Sequence, residues 1–105
     1  MANLTELNKL EEYLIWHNIP YERKDKPGKI KGGHLIGDWH QIVGLDEYGG
    51  QKWDALYCSA IYVYDKACYD AGLLEYYDAK LKEKDSDPIR GMTAEQVIKK
   101  IESDA

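Results

Sequence analysis

The sequence predicts an α+β fold: a small antiparallel sheet of three strands, or four if residues 59–64 also pair, packed with an N-terminal helix and two C-terminal helices. Three observations carry this. Leucines recur at helical spacing near the N-terminus, two apolar runs flank a Tyr-Gly-Gly turn in the middle, and helical periodicity returns after residue 66. Segregated helices around a short run of strands suit a two-layer architecture.

The elements follow in chain order. Residues 3–18 read as an amphipathic helix, with Leu4, Leu7, Leu10 and Leu14 on one face. Asn3 and Glu6 have capping-box spacing, Asn18 suits a left-handed helix end, and Pro20 stops continuation. Residues 21–25 form a short, charged strand at a sheet edge. Residues 26–29 (Lys-Pro-Gly-Lys) read as a turn, extended by Gly32 and Gly33. Residues 39–46 and 52–58 make a hairpin about a turn at 48–51. Residues 59–64 suit either strand or helix. Residues 66–84 carry Ala67, Ala71, Leu74 and Leu81 near one helical face, with Gly72 a weak point. Residues 85–88 break the chain, and Thr93 with Gln96 caps a last helix whose apolar face is Val97, Ile98 and Ile101.

The chain has 105 residues, 14 basic and 19 acidic, which fits one domain spanning 1–105 with a net charge of −5. No stretch approaches the about 18 apolar residues of a membrane span, and residues 1–10 lack the apolar core of a signal peptide. Two cysteines outside any CxxC pair exclude a disulfide scaffold and a zinc knuckle. A cytoplasmic protein without cofactor or metal is the expectation. Nine Tyr, three Trp and no Phe make the aromatic inventory lopsided.

Four constellations bear on chemistry. His34, Asp38 and His40 would share one side of a strand and resemble a zinc set, but Gly37-Asp38 reads as a turn and no fourth ligand follows. A hydrogen-bonding role outweighs metal binding. Cys58 with His40 and Asp54 has the composition of a nucleophilic triad. Hairpin parity places His40 opposite residue 57 or 59, with Cys58 and Asp54 on the other face, which argues against a hydrolase-like enzyme. The same parity groups His40, Trp53 and Tyr57 as an aromatic platform for a nucleobase or partner side chain, with a second core as the plainer reading.

The third constellation is basic. Residues 22–31 carry a local +3, which leaves −8 for the rest of the chain. Lys29, Lys31 and the backbone at Gly32 and Gly33 would form an anion nest for a small phosphate-bearing ligand, although no P-loop pattern is present. The plainer reading is a solvated loop. The fourth is the tyrosine group Tyr62, Tyr64, Tyr69, Tyr76 and Tyr77, suited to a protein interface. An acidic chain favours a basic protein partner over direct nucleic-acid contact. A sheet edge with an aromatic surface makes a homodimer reasonable.

The ordered set His40-Gln41-Ile42, Trp53-Asp54-Ala55, Gly72-Leu73-Leu74-Glu75 and Met92-Thr93-Ala94-Glu95-Gln96-Val97-Ile98 resembles small uncharacterised open reading frames of phages and prophages of Firmicutes. The resemblance covers most of the chain and transfers no functional residues. It implies a mobile-element accessory protein acting in a bacterial host cytoplasm; together with the net charge and the tyrosine excess, it leads to the expectation of a non-enzymatic protein that binds a host protein, for example a basic defence nucleoprotein such as a CRISPR effector. A sponge for a nucleotide signal, using Lys29, Lys31 and stacking on Trp53 or Tyr57, is the alternative.

Overall fold

A computed structural model of the chain describes residues 3–32, 34–36, 39–57, 71–78 and 89–103. Its elements are α1 (Thr5–Trp16), β1 (Tyr21–Lys26), β2 (Lys29–Lys31), β3 (His34–Ile36), β4 (Trp39–Leu45), β5 (Gln51–Tyr57), β6 (Leu74–Asp78), β7 (Ile89–Met92) and α2 (Ala94–Ser103). Five strands form one antiparallel sheet in the order β1-β4-β5-β6-β7, and β2 and β3 form a separate two-stranded sheet. The α+β class holds. The strand and helix counts do not.

The correction is concentrated in the expected helix at 66–84. Residues 74–78 are instead strand β6, antiparallel to β5 with Ala55 opposite Tyr76 and Tyr57 opposite Leu74. Gly72 adopts φ +70°, a left-handed conformation that ends helical winding just before the strand. Leu74 and Tyr76 are buried while Glu75 and Tyr77 are half-buried, a two-residue alternation over a segment too short to separate from a helical stripe. β7 has no counterpart among the expected elements, and α2 is the one helix after the sheet among the described residues. The remaining parts of the 66–84 helix and the 59–64 segment lie outside those residues.

Other local expectations agree with the fold. At the end of α1, Asn18 has φ +53°, Ile19 N–H donates to Leu14 O (3.0 Å), and Asn18 N–H donates to Ile15 O (3.3 Å). These paired bonds satisfy the last carbonyls of the helix, and Ile19 packs on the core beside them. The start of α1 differs from the expected Asn3–Glu6 capping box: the N-cap is Leu4, without a side-chain cap bond, Asn3 N–H donates to Tyr57 Oη (3.4 Å), and Asn3 Oδ1 accepts from Thr5 N–H (3.3 Å). The capping box of α2 forms in full: Thr93 N–H donates to Gln96 Oε1 (3.0 Å) and Gln96 N–H to Thr93 Oγ1 (3.3 Å).

Both helices cover one face of the sheet. Leu7, Leu10 and Leu14 of α1 and Val97 of α2 are fully buried against Ile42, Ala55 and Leu74. Each such side chain contributes about 1.5–3 kcal/mol by leaving water. The β4–β5 register pairs Gln41 with Leu56, Ile42 with Ala55 and Gly44 with Trp53, then slips by one residue between Gly44 and Leu45. At Gly44 the strand backbone lies directly under the Trp53 indole, and a Cβ there would overlap the ring. The indole stacks in turn on Tyr76, ring centroids 6.3 Å apart.

Candidate functional site

His40 lies on the helix-facing side of β4 with only 7% of its surface exposed. Its partner comes from β1, where Asp25 is directly opposite in the ladder. Asp25 Oδ1 is 2.7 Å from His40 Nδ1. Arg23, one turn of the pleat away, donates from Nε to both Asp25 oxygens (3.3 and 3.0 Å) and from Nη1 to Asn8 Oδ1 (2.9 Å) and Glu11 Oε1 (3.1 Å) of α1. The chain Glu11–Arg23–Asp25–His40 thus ties helix, edge strand and second strand together. Desolvation by itself would raise the Asp25 carboxyl, but the hydrogen bonds from His40 and Arg23 and the Arg23 charge outweigh it and hold the group below its ordinary value. Burial raises the Tyr21 phenol, and the Glu11 carboxylate pushes it further in the same direction.

Of the platform residues, His40 and Tyr57 meet inside the protein, while Trp53, farther along β5, stacks on Tyr76. His40 and Tyr57 meet edge to face with centroids 6.1 Å apart, and Trp53 and Tyr57 are 5% and 2% exposed. None of the three presents an open ring face for a base to stack upon. Asp54 lies on the other face of β5, where Gln51 Nε2 donates to its Oδ2 at 2.9 Å, so the carboxylate that meets His40 is that of Asp25. Cys58 and Asp38 lie outside the described residues. Among those residues, no cluster of three His, Cys, Asp or Glu side chains has metal-holding geometry.

The basic residues expected in a loop stand on strands. Lys29 is exposed on β2, Lys31 is its last residue, Gly32 follows with φ +59°, and Gly33 lies outside the described residues. Of the tyrosine group, Tyr62, Tyr64 and Tyr69 also lie outside them. Tyr76 is core, with Lys100 Nζ 5.9 Å from its ring centroid, and Tyr77 is half-buried on the opposite face of β6.

The aromatic surface that is open lies elsewhere. Trp16 is 77% exposed, Ile15 58% and Tyr48 88%. They share one end of the fold. Leu45 N–H donates to Pro20 O at 3.0 Å, which brings the strand leading into the β4–β5 turn alongside the chain leaving α1. That turn is fixed by Asp46, whose Oδ1 accepts from Tyr48 N–H (2.8 Å) and Gly50 N–H (2.7 Å). Trp16 was legible in the helical wheel, since it falls opposite the Leu7–Leu10–Leu14 stripe, and exposed Glu12 stands beside it on that outer face.

Tyr13 joins the two helices at the same end of α1, its hydroxyl donating to Glu102 Oε1 at 3.0 Å. Burial and this bond both raise its phenol. No helix among the described residues is long and apolar enough to cross a membrane. Comparison with protein-family models, curated proteins and solved structures finds no match to this chain.

Proposed function

We propose that this chain is a non-enzymatic binding protein that holds a partner protein through the end formed by Ile15, Trp16 and Tyr48. The exposure of Trp16 and Tyr48 on tightly fixed backbone carries the reading. Large aromatic side chains dominate the energetics of protein interfaces. A rigid mount reduces the entropy lost when they dock. The bonds closing α1 and the Asp46 turn supply that rigidity on either side of the surface.

Acidic Glu12 and Glu47 are exposed beside these aromatics, and the chain carries −5 overall, so the complementary partner is basic. A host nucleoprotein of bacterial defence, met in the cytoplasm by a phage or prophage accessory protein, has that chemistry. Catalysis is disfavoured by the burial of His40 within a saturated ionic chain. The nucleotide-sponge reading loses support with Trp53 and Tyr57 enclosed in the core.

Affinity capture from a bacterial lysate with the native chain and the Trp16→Ala/Tyr48→Ala variant tests the proposal. A discrete protein retained by the native chain and lost about 30-fold or more by the variant is expected, the loss that corresponds to even one interface hot spot of about 2 kcal/mol. An identical retained set in both samples overturns it. Equal urea midpoints for the two proteins control for folding.

A further inference from the structure

The five-stranded sheet ends in β1, which pairs with β4 on one side and, among the described residues, with no strand on the other. The ladder fixes which of its backbone groups face that open side. Leu45 N–H donates to Pro20 O, so positions 20 and 45, which continue the β1–β4 register, are a hydrogen-bonded pair. Bonded and non-bonded pairs alternate along an antiparallel ladder. Glu22, Lys24 and Lys26 therefore turn their backbone N–H and C=O toward β4, and Tyr21, Arg23 and Asp25 turn theirs outward. Side chains alternate as well. Arg23 and Asp25 lie with Tyr21 on the helix-covered face, where they meet Glu11 and His40, and exposed Glu22, Lys24 and Lys26 lie on the other. α1 packs over β4 and β5, inward of this edge.

A row of outward amides and carbonyls is a template for another strand, and charge commonly protects such an edge. Residues 22–26 are all charged, but they carry both signs. A second copy related by a two-fold axis would pair antiparallel to β1, with outward-bonding positions opposite one another. Centring that pairing on Glu22 opposes the carboxylate to itself. Centring it on Asp25 opposes Asp25 to itself and Lys24 to Lys26. Centring it on Arg23 matches Glu22 with Lys24 but sets guanidinium against guanidinium. Centring it on Lys24 places Arg23 opposite Asp25 of the partner subunit and Glu22 opposite Lys26 of the partner subunit, each twice by symmetry. The one like pair is then Lys24 with its own copy, an exposed side chain long enough to turn into solvent. In this register Arg23 and Asp25 exchange backbone bonds as well as opposite charges. The Asp25 side chain, already bonded to Arg23 of its own strand, is 44% exposed and has room for a second guanidinium.

We propose that β1 is a dimerisation edge, along which two copies of this chain join antiparallel about Lys24 into one continuous sheet. An unrelated extended peptide would gain the backbone bonds without this match of charges. Trp16 and Tyr48 take no part in the edge, so the dimer does not rest on the protein-binding proposal.

Sedimentation of the full chain from about 1 μM to about 1 mM tests the edge, a span that covers weak and moderate protein pairs. A monomer–dimer equilibrium is expected. Glu22→Lys turns attractive pairs into repulsive ones on both sides of the axis and should weaken dimerisation about tenfold. Glu22→Lys/Lys26→Glu restores opposite signs and should return it to within about threefold of native. Amide exchange at Tyr21, Arg23 and Asp25 should slow as concentration rises through the transition. Trp16→Ala/Tyr48→Ala should dimerise as the native chain does, which separates failure here from failure of the protein-binding proposal. A monomer throughout, a dimer indifferent to Glu22→Lys, no recovery in the double variant, or unchanged exchange at the three amides overturns the inference. So does loss of the dimer in Trp16→Ala/Tyr48→Ala, which would assign the contact between copies to the aromatic end. Equal urea midpoints control for folding.

Discussion

Gly44→Ala probes the contact on which the β4–β5 half of the core depends. Gly44 is the ladder partner of Trp53, and a Cβ at position 44 would lie within 2.6 Å of indole Cζ2 and closer still to Cε2 and Nε1. The indole has little room to retreat because it is 5% exposed and stacked on Tyr76. Overpacking of this kind costs about 1–3 kcal/mol. Restricting the unfolded chain returns about 0.4–1 kcal/mol of that. The net expectation is a loss of about 1–2 kcal/mol, rising toward about 3–5 kcal/mol if the indole is expelled from the core. With a urea dependence of about 1–1.5 kcal/mol per molar, the midpoint should fall by about 1 M, with a red shift in tryptophan emission on expulsion. In a double-mutant cycle, Trp53→Leu should cost less in the Gly44→Ala background than alone, by about 1 kcal/mol. A Gly44→Ala protein within about 0.3 kcal/mol of native, with unchanged emission, would refute this register and packing.

Further outcomes follow from the caps and the buried ionic chain. Asp25 titrates below its ordinary value in the folded state, so its contribution to stability is present above the unfolded carboxyl pKa of about 3.9 and disappears as pH falls through the lower folded value. Urea midpoints measured from about pH 6 to 2 should therefore fall less steeply for Asp25→Asn than for the native chain. Thr93→Ala removes one half of the α2 capping box and should cost about 1 kcal/mol, read as a fall of several degrees in melting temperature. Asn18→Val places a β-branched residue at φ +53° and should destabilise by about 1–2 kcal/mol in urea titration, whereas Asn18→Gly should be close to neutral.

How much of this was legible in the sequence depended on whether the signal was local. The leucine stripe of α1, the Asn18 turn, the Thr93–Gln96 box and the parity of the β4–β5 hairpin each follow from residues a few positions apart. Residues 74–78 misled because Leu74 and nearby Tyr77 fit a helical face as well as Leu74 and Tyr76 fit a strand face. Only Gly72, read as a break instead of a weak point, distinguishes them locally. β7, with Ile-Arg-Gly-Met, has too few residues to show alternation.

The Asp25–His40 pair escaped for a different reason. It depends on β1 pairing with β4 so that Asp25 stands opposite His40, 15 positions away, whereas the glycines between them read only as an extension of a turn. The Gly32-Gly33 pair in the sequence, a dipeptide that suits a two-residue hairpin, was the available signal. Counted outward from that pair, position 25 falls opposite position 40, which is the pairing that β1 and β4 make.

The account rests most heavily on the exposed aromatic end being where a partner docks. Site-specific incorporation of a photo-reactive phenylalanine analogue at position 16 or 48, with exposed position 99 of α2 as control, measures this directly in bacterial cells. The account predicts a discrete protein adduct from positions 16 and 48 and none from position 99. Adducts absent at 16 and 48, or equally abundant at all three, would contradict it.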